Sequence, residues 1–228
     1  MVSTVRWTDL DVIAARIGEA DGKPLGKYTG ETLLPRTINV MTPQVNEGFF
    51  ADVVLLVEGP SDRAALLAVA SRRGIDLDEF GAIIVPVESK DNLDRPYCVF
   101  TGLGIPCYFI FDGDRSRAGD GHPGTNRRLL ILGGADPVDF PETVATGAFA
   151  CFAENLETEM RAELSSEVYD AALDAACKEF GYPKREDGLK NPAVVQRVLE
   201  AAQEQGRTIC VLEAALDKAL ALSSTCSG

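Results

Sequence analysis

The chain switches between two hydrophobic patterns. From residue 52 onward, short continuous apolar runs (DVVLLV, AIIVPV, CYFIF and AFACFA) alternate with longer stretches in which apolar residues return every three or four positions. Runs of this length, rich in Val, Ile and Phe, read as strands buried on both faces, and the intervening stretches read as helices over about 60–73, 92–103 and 125–132. The alternation predicts an α/β fold: a mostly parallel sheet flanked by helices and joined by right-handed crossovers.

Beyond residue 157 the pattern becomes helical throughout. One helix is predicted over about 157–180, with a break at Ser165 and Ser166 and a stop at Gly181 and Pro183. A second has Asn191 as its cap, Pro192 at its first position and Gly206 as its close, and a third covers about 208–222. The first 48 residues are the least regular. Thr8 and Asp11 form a capping box ahead of Leu10, Val12, Ile13 and Ile17, and the rest reads as loop. Within it, GKPLGKYTG has the lysines and glycines of a phosphate-binding loop, but its glycine spacing is one short and Tyr28 stands where a hydroxyl ligand is required.

Candidate chemistry lies where the apolar runs end. Glu58 and Asp62 follow the first run in VEGPSD, Asp112 and Asp114 follow the third in FDGDRS, and Glu154 and Glu157 follow the fourth. A parallel sheet brings these to one carboxyl edge, where α/β sheets place their sites. Each acid also has a plain structural role open to it: Asp62 suits the first turn of a helix, and Asp112 and Asp114 suit a turn around Gly113. Glu58 is harder to assign that way, because a charge directly after five apolar strand residues needs a partner. Crowded carboxylates with almost no His or Cys select hard ions such as Mg²⁺ or Mn²⁺, and two such ions about 4 Å apart suit phosphoryl displacement. Lys90, in VPVESKDN, falls at the same edge, either touching a phosphate or solvated. His122, the single histidine, reads as a loop residue in DGHPG, and no nucleophile triad accompanies it.

With 22 basic against 35 acidic residues, the chain is too acidic for broad attachment to nucleic acid. A local phosphate- or DNA-binding surface remains open, because Arg115, Arg117, Arg127 and Arg128 follow the second acidic pair. No apolar run is long enough for a membrane span and no secretory signal is visible, so a cytoplasmic protein without membrane partners is expected. The six cysteines are scattered and mostly in apolar stretches, as core residues are.

VEGPSD with Glu58 and Asp62, followed by FDGDRS with Asp112 and Asp114, resembles the Toprim domain shared by topoisomerases, primases and several nucleases. More narrowly, NEGFFADVVLLVEGPSDRAALLAVA, VPVESKDNL and GIPCYFIFDGDRS resemble the C-terminal half of OLD (overcoming lysogenization defect) family endonucleases. The resemblance implies a Rossmann-like Toprim domain over 50–160, an irregular segment over 1–49 leading from an ABC-type ATPase, and an additional helical domain over 161–228. It implies a DNA endonuclease that nicks or cleaves with two Mg²⁺ or Mn²⁺ ions held by Glu58, Asp62, Asp112, Asp114 and Glu157, with Glu154 as the alternative to Glu157. It assigns Glu58 and Glu157 catalytic roles alongside a lysine from the helical part, Lys190 first and Lys218 second, and leaves oligomerisation to the part ahead of this region. The sequence departs from the family at Ser89, where Gly-Lys reads Ser-Lys. Two other readings stand beside this one. In a haloacid-dehalogenase-like phosphatase, Asp112 would attack and Asp114 act as acid. In a Toprim module that only binds nucleic acid, the acids would hold no catalytic metal.

Overall fold

The computed structural model describes residues 6–117 and 122–223. The four apolar runs are strands, β1 (Val53–Val57), β2 (Ala82–Pro86), β3 (Cys107–Asp112) and β5 (Phe149–Phe152), all mutually parallel. A two-residue strand the pattern did not reveal, β4 (Val144–Ala145), runs antiparallel to β5 at the edge. The sheet order is β2-β1-β3-β5-β4. From β1 the chain moves outward to β2, then returns to place β3 on the other side of β1, so the order reverses between β1 and β3. That reversal opens the crevice in which α/β sheets bind ligands.

The helices are α1 (Leu10–Ala20), α2 (Gly30–Val40), α3 (Pro43–Asn46), α4 (Pro60–Arg72), α5 (Asp94–Gly102), α6 (His122–Leu132), α7 (Leu156–Leu164), α8 (Ser166–Glu179), α9 (Arg185–Gly188), α10 (Pro192–Gln203) and α11 (Cys210–Ala221). Period-two alternation in the strands separates two apolar layers. Val53, Leu55, Val57, Tyr108 and Ile110 face α4, α8, α10 and α11, whereas Val54, Leu56, Phe109 and Phe111 face α1, α5 and α6. The rings of Phe109 and Phe149 stack at 5.5 Å in the second layer.

Before β1 the helix marked by Leu10, Val12, Ile13 and Ile17 is α1, and the stretch expected to be loop supplies a second full helix, α2, and the short α3. The α1 cap is Asp9, whose carboxylate accepts the Asp11 N–H, rather than Thr8. Asp11 then reaches across to accept the Gly30 N–H at 2.6 Å, tying α2 to α1. Arg16 donates to Thr101 Oγ1 at 2.7 Å and lies over the Tyr97 ring, fastening α1 to α5. These ties are long-range in sequence and escape a local reading.

The expected break in the long helix falls at Ser165, whose φ of 71° ends α7 before α8 begins. Leu173, Val194, Val198, Leu199, Leu212 and Leu216 of the tail form one continuous core with α4 and the sheet. Removal of the tail would therefore strip apolar cover from a whole face of the sheet. A chain ending at Arg161 is expected to lack a cooperative urea transition by circular dichroism. Leu199→Ala, at a fully buried position, is expected to lower stability by about 2–5 kcal/mol, read as a lower urea midpoint with unchanged slope.

Candidate metal and phosphate site

The acids gather at the reversal between β1 and β3. Glu58 leaves the end of β1, and its Oε1 accepts the backbone N–H of Asp112 at 2.7 Å, bridging the two central strands with a side chain. Asp62 lies in the first turn of α4, where its Oδ2 accepts the Gly59 N–H at 2.8 Å. It thus fills the helix-start role while facing the other acids. Asp112 closes β3, and Asp114 follows Gly113 with a left-handed φ of 51°, which Asp tolerates better than most residues.

Three contacts fix this turn. Gly113 N–H donates to Phe152 O at 2.7 Å, Asp114 N–H donates to Glu154 O at 3.0 Å, and the buried Asn126 amide donates to Gly113 O at 2.8 Å. A Cβ on Gly113 would stand 2.6 Å from Ala153 O and 2.9 Å from Phe152 O, both backbone atoms that cannot swing away. Asn126 was not singled out from sequence. It sits inside a helix with no local pattern to mark it.

Lys90 is only 4 % exposed, and its ammonium donates to Asp112 O at 2.7 Å and to Asp114 Oδ2 at 2.6 Å. It is neither a solvated loop lysine nor open to a distant phosphate. The departure at Ser89 leaves this placement intact: Ser89 is extended, φ −172°, a conformation open to any residue, and its Oγ accepts the Asp91 N–H.

Electrostatics mark these acids as crowded. Burial, with the charges of Glu58, Asp62, Glu157 and Asp114, holds the Asp112 carboxyl well above the usual carboxylate range. Burial raises Glu58 to about 8, against the Asp112 N–H bond that lowers it. Burial and the Glu157 charge raise Asp62 to about 6. Glu157, at the start of α7, therefore belongs to the group. Glu154 is instead committed to Ser116, whose N–H it accepts at 2.9 Å.

Other expected residues lie elsewhere. Lys190 pairs with Asp187 at 3.0 Å on a half-exposed surface, three residues away on the same turn. Lys218 donates to Ala145 O on β4. The family resemblance put these two lysines forward, and in the structure they meet Asp187 and Ala145 O. Arg115 pairs with Glu142 at 2.6 Å, Arg127 with Asp139, and Arg128 with Asp94, so the basic segment is matched by acids of the chain itself. His122 opens α6 rather than lying in a loop.

The donor set is one of hard carboxylate oxygens, repelling one another and partly open to solvent, which fits a divalent cation. Among the described residues, however, no three acidic, His or Cys side chains stand close enough together to hold an ion as arranged. Glu58 is turned to the Asp112 N–H and Asp114 to Lys90, so ion binding requires these side chains to re-aim.

A mostly parallel sheet with acids after β1 and β3 at its reversal defines a Toprim-type α/β domain. Residues 49–114 match the family model described as "Overcoming lysogenization defect protein-like, TOPRIM domain". The structure is similar to the C-terminal region of the Xanthomonas campestris pv. campestris OLD protein (mercury-phased), at 18% identity and TM-score 0.50 over 78% of this chain and 98% of that one. It is also similar to the C-terminal region of the Burkholderia pseudomallei OLD protein, at 20% identity and TM-score 0.49 over 77% and 100% of the two chains. The former likeness carries the fold. No curated protein matches the chain. Among the described residues no helix is long and apolar enough to cross a membrane.

Two outcomes test this geometry. Gly113→Ala is expected to lower stability by about 1–3 kcal/mol, the usual penalty of overpacking, because the turn must move off β5. The pH profile follows from Glu58 and Asp62, whose folded values exceed their unfolded values of 4.5 and 3.8. The folded state then binds more protons than the unfolded state between about pH 4 and 8, so stability falls as pH rises through that window. In EDTA the thermal midpoint should be lower at pH 8 than at pH 5, and Glu58→Gln should shrink the difference. A midpoint that rises steadily across this range would count against the crowding.

Proposed function

We propose that the chain is the nuclease part of an OLD-type protein: a divalent-metal-dependent endonuclease acting on phosphodiester bonds of DNA. The observation that carries this reading is the Glu58 to Asp112 bridge across β1 and β3, with Asp62 and Glu157 facing it, because it concentrates uncompensated negative charge at the ligand-binding edge. Glu58, Asp62, Asp112 and Glu157 would hold Mg²⁺ or Mn²⁺ ions. Such ions activate water and neutralise charge developing at phosphorus.

The chain's own groups have definite tasks. Glu58 must exchange the Asp112 N–H for an ion, which leaves that N–H free to donate to a phosphate oxygen. Lys90 neutralises Asp114 and keeps a cation beside the acids, so it supplies the positive charge that the family resemblance assigned to Lys190. Its burial fixes its Nζ to within the Asp112–Asp114 turn. Desolvated charge of this kind acts more strongly than a surface lysine.

A second reading has one observation in its favour. Among the described residues no three ligands converge in this arrangement, which suits a domain that binds nucleic acid without cutting it. Incubation of the protein with supercoiled plasmid in EDTA, Mg²⁺ or Mn²⁺ separates the two. Metal-dependent nicking that is abolished in Asp112→Ala and reduced at least 100-fold in Lys90→Met, with Lys190→Met near wild type, is expected. Nicking lost in Lys190→Met and kept in Lys90→Met would reverse the lysine assignment, and an inactive wild type that still retards plasmid would favour the binding module.

A further inference from the structure

On the side of the sheet covered by α1, α5 and α6 lies a recess lined mainly by cations. It has a volume of about 270 Å³, opens between α1, α2 and the α5–α6 pair, and is lined by Lys27, Arg36, Arg95 and Arg128 with Asp94 as its one acid. In a chain of net charge −13 such a concentration of cations in one concavity is out of keeping with the surface as a whole.

The four cations divide into two kinds. Arg128 is largely buried and is held by Asp94 at 3.1 Å, Asp21 at 3.3 Å and Asp91 at 3.7 Å, while Arg95 lies 3.8 Å from Asp94. These two are walls of the recess, fixed and neutralised by the fold. Lys27 and Arg36 form no ion pair among the described residues, and both lie exposed at the rim. They leave two uncommitted positive charges facing into a concavity whose acids are already engaged. Eight N–H donors are available there, three on the lysine and five on the guanidinium.

Size narrows the ligand. Sites for whole small molecules run from about 300 to 1,000 Å³, so this recess suits a phosphate group and its immediate linkages rather than a complete nucleotide. Position narrows it further. Asp91, which touches Arg128 and accepts the Thr125 hydroxyl, directly follows Lys90. One short turn, Lys90–Asn92, thus carries the lysine of the acidic site and, next to it in the chain, an acid that pairs with Arg128 of the recess wall.

We propose that this recess is a phosphate subsite in which Lys27 and Arg36 bind a backbone phosphate flanking the bond at the acidic site. The identity of the polyanion rests on the nuclease reading; the phosphate chemistry does not. The proposal also gives GKPLGKYTG a use. That loop lacks the spacing and hydroxyl of a nucleotide-binding loop, yet it delivers Lys27 and Tyr28 to the wall of the recess.

The test uses the full chain in EDTA, where no cleavage occurs. Binding of a fluorescent DNA duplex is measured against KCl concentration for wild type, Lys27→Ala/Arg36→Ala, Arg36→Lys and the surface control Lys190→Ala, with thermal midpoints confirming that each is folded. Loss of one phosphate contact should reduce the slope of log K against log salt by about 1 in the double variant, partly restored in Arg36→Lys and absent in Lys190→Ala. In a second arm, inorganic phosphate is titrated against the thermal midpoint. A phosphate-induced rise seen in wild type and lost in the double variant, with an unchanged DNA slope, would keep the site and assign it to a free phosphate group. No difference from wild type in either arm overturns the proposal. A changed slope in a protein that cuts nothing with Mg²⁺ or Mn²⁺ would leave the recess standing and remove the nuclease reading.

Discussion

Lys90 is the one lysine buried within the described fold, and the arrangement of acids around the sheet edge depends on it. Five carboxylates, those of Glu58, Asp62, Asp112, Asp114 and Glu157, are brought together because β1 and β3 are neighbours and because α4 and α7 both start at the same edge. A backbone N–H relieves Glu58 and another relieves Asp62, whereas Lys90 brings a buried positive charge to Asp114, which Arg117 also approaches from its exposed side at 3.9 Å. It reaches two oxygens of the same turn, Asp112 O and Asp114 Oδ2, so it also defines that turn's shape. Removing one member of such a buried pair typically costs about 3–5 kcal/mol, since the other is left without a counter-charge. The excess negative charge that remains after this pairing is the property from which both the pH response and the affinity for a divalent cation follow.

The sheet was legible in the sequence because its physics is local. Four continuous apolar runs produced four parallel strands, and Asn191 with Pro192 marked the start of α10 to the residue. The acids of VEGPSD and FDGDRS were legible too, since charge directly after a buried strand has few purely structural explanations. What failed to show was whatever depends on partners distant in the chain. The α1 and α2 helices are stabilised by Asp11 to Gly30 and Arg16 to Thr101, contacts no window of sequence contains. The surroundings of Lys190 were hidden for a related reason: its pairing with Asp187, three residues away, depends on how the α9 turn packs. Lys90 was visible at the right edge, and only packing could reveal that it points inward.

Charge pairing also explains why an apparently basic segment is not an open basic surface. Arg115, Arg127 and Arg128 lie close in sequence and suggest a phosphate track, yet Glu142, Asp139 and Asp94 meet them one by one. The exposed pairs at Arg115 and Arg127 are weak, of the order of 0–1 kcal/mol, and a polyanion could compete for them. Arg128 differs, because it is buried against Asp94 and Asp21, and breaking that set would loosen α6 from α1 and α5. Its role is to build a wall. The free charge beside it comes from α2 and the loop that precedes it, the region the sequence pattern rendered as least regular.

Backbone strain shows how these parts are held together. Glu88 and Asp114 both adopt left-handed φ, 69° and 51°, on the two turns that meet at Lys90. A non-glycine residue in this region costs on the order of 1 kcal/mol or more and persists only where surrounding contacts fix it. Here those contacts are the Lys90 ammonium, Gly113 N–H on Phe152 O and the Asn126 amide on Gly113 O. The strained turns therefore share one buried anchor, and a change at either turn is transmitted to the other through Lys90 rather than through the sheet. Asp91, next to Lys90 in the same turn, pairs with Arg128 at 3.7 Å, so this turn also touches the buried arginine that joins α6 to α1 and α5.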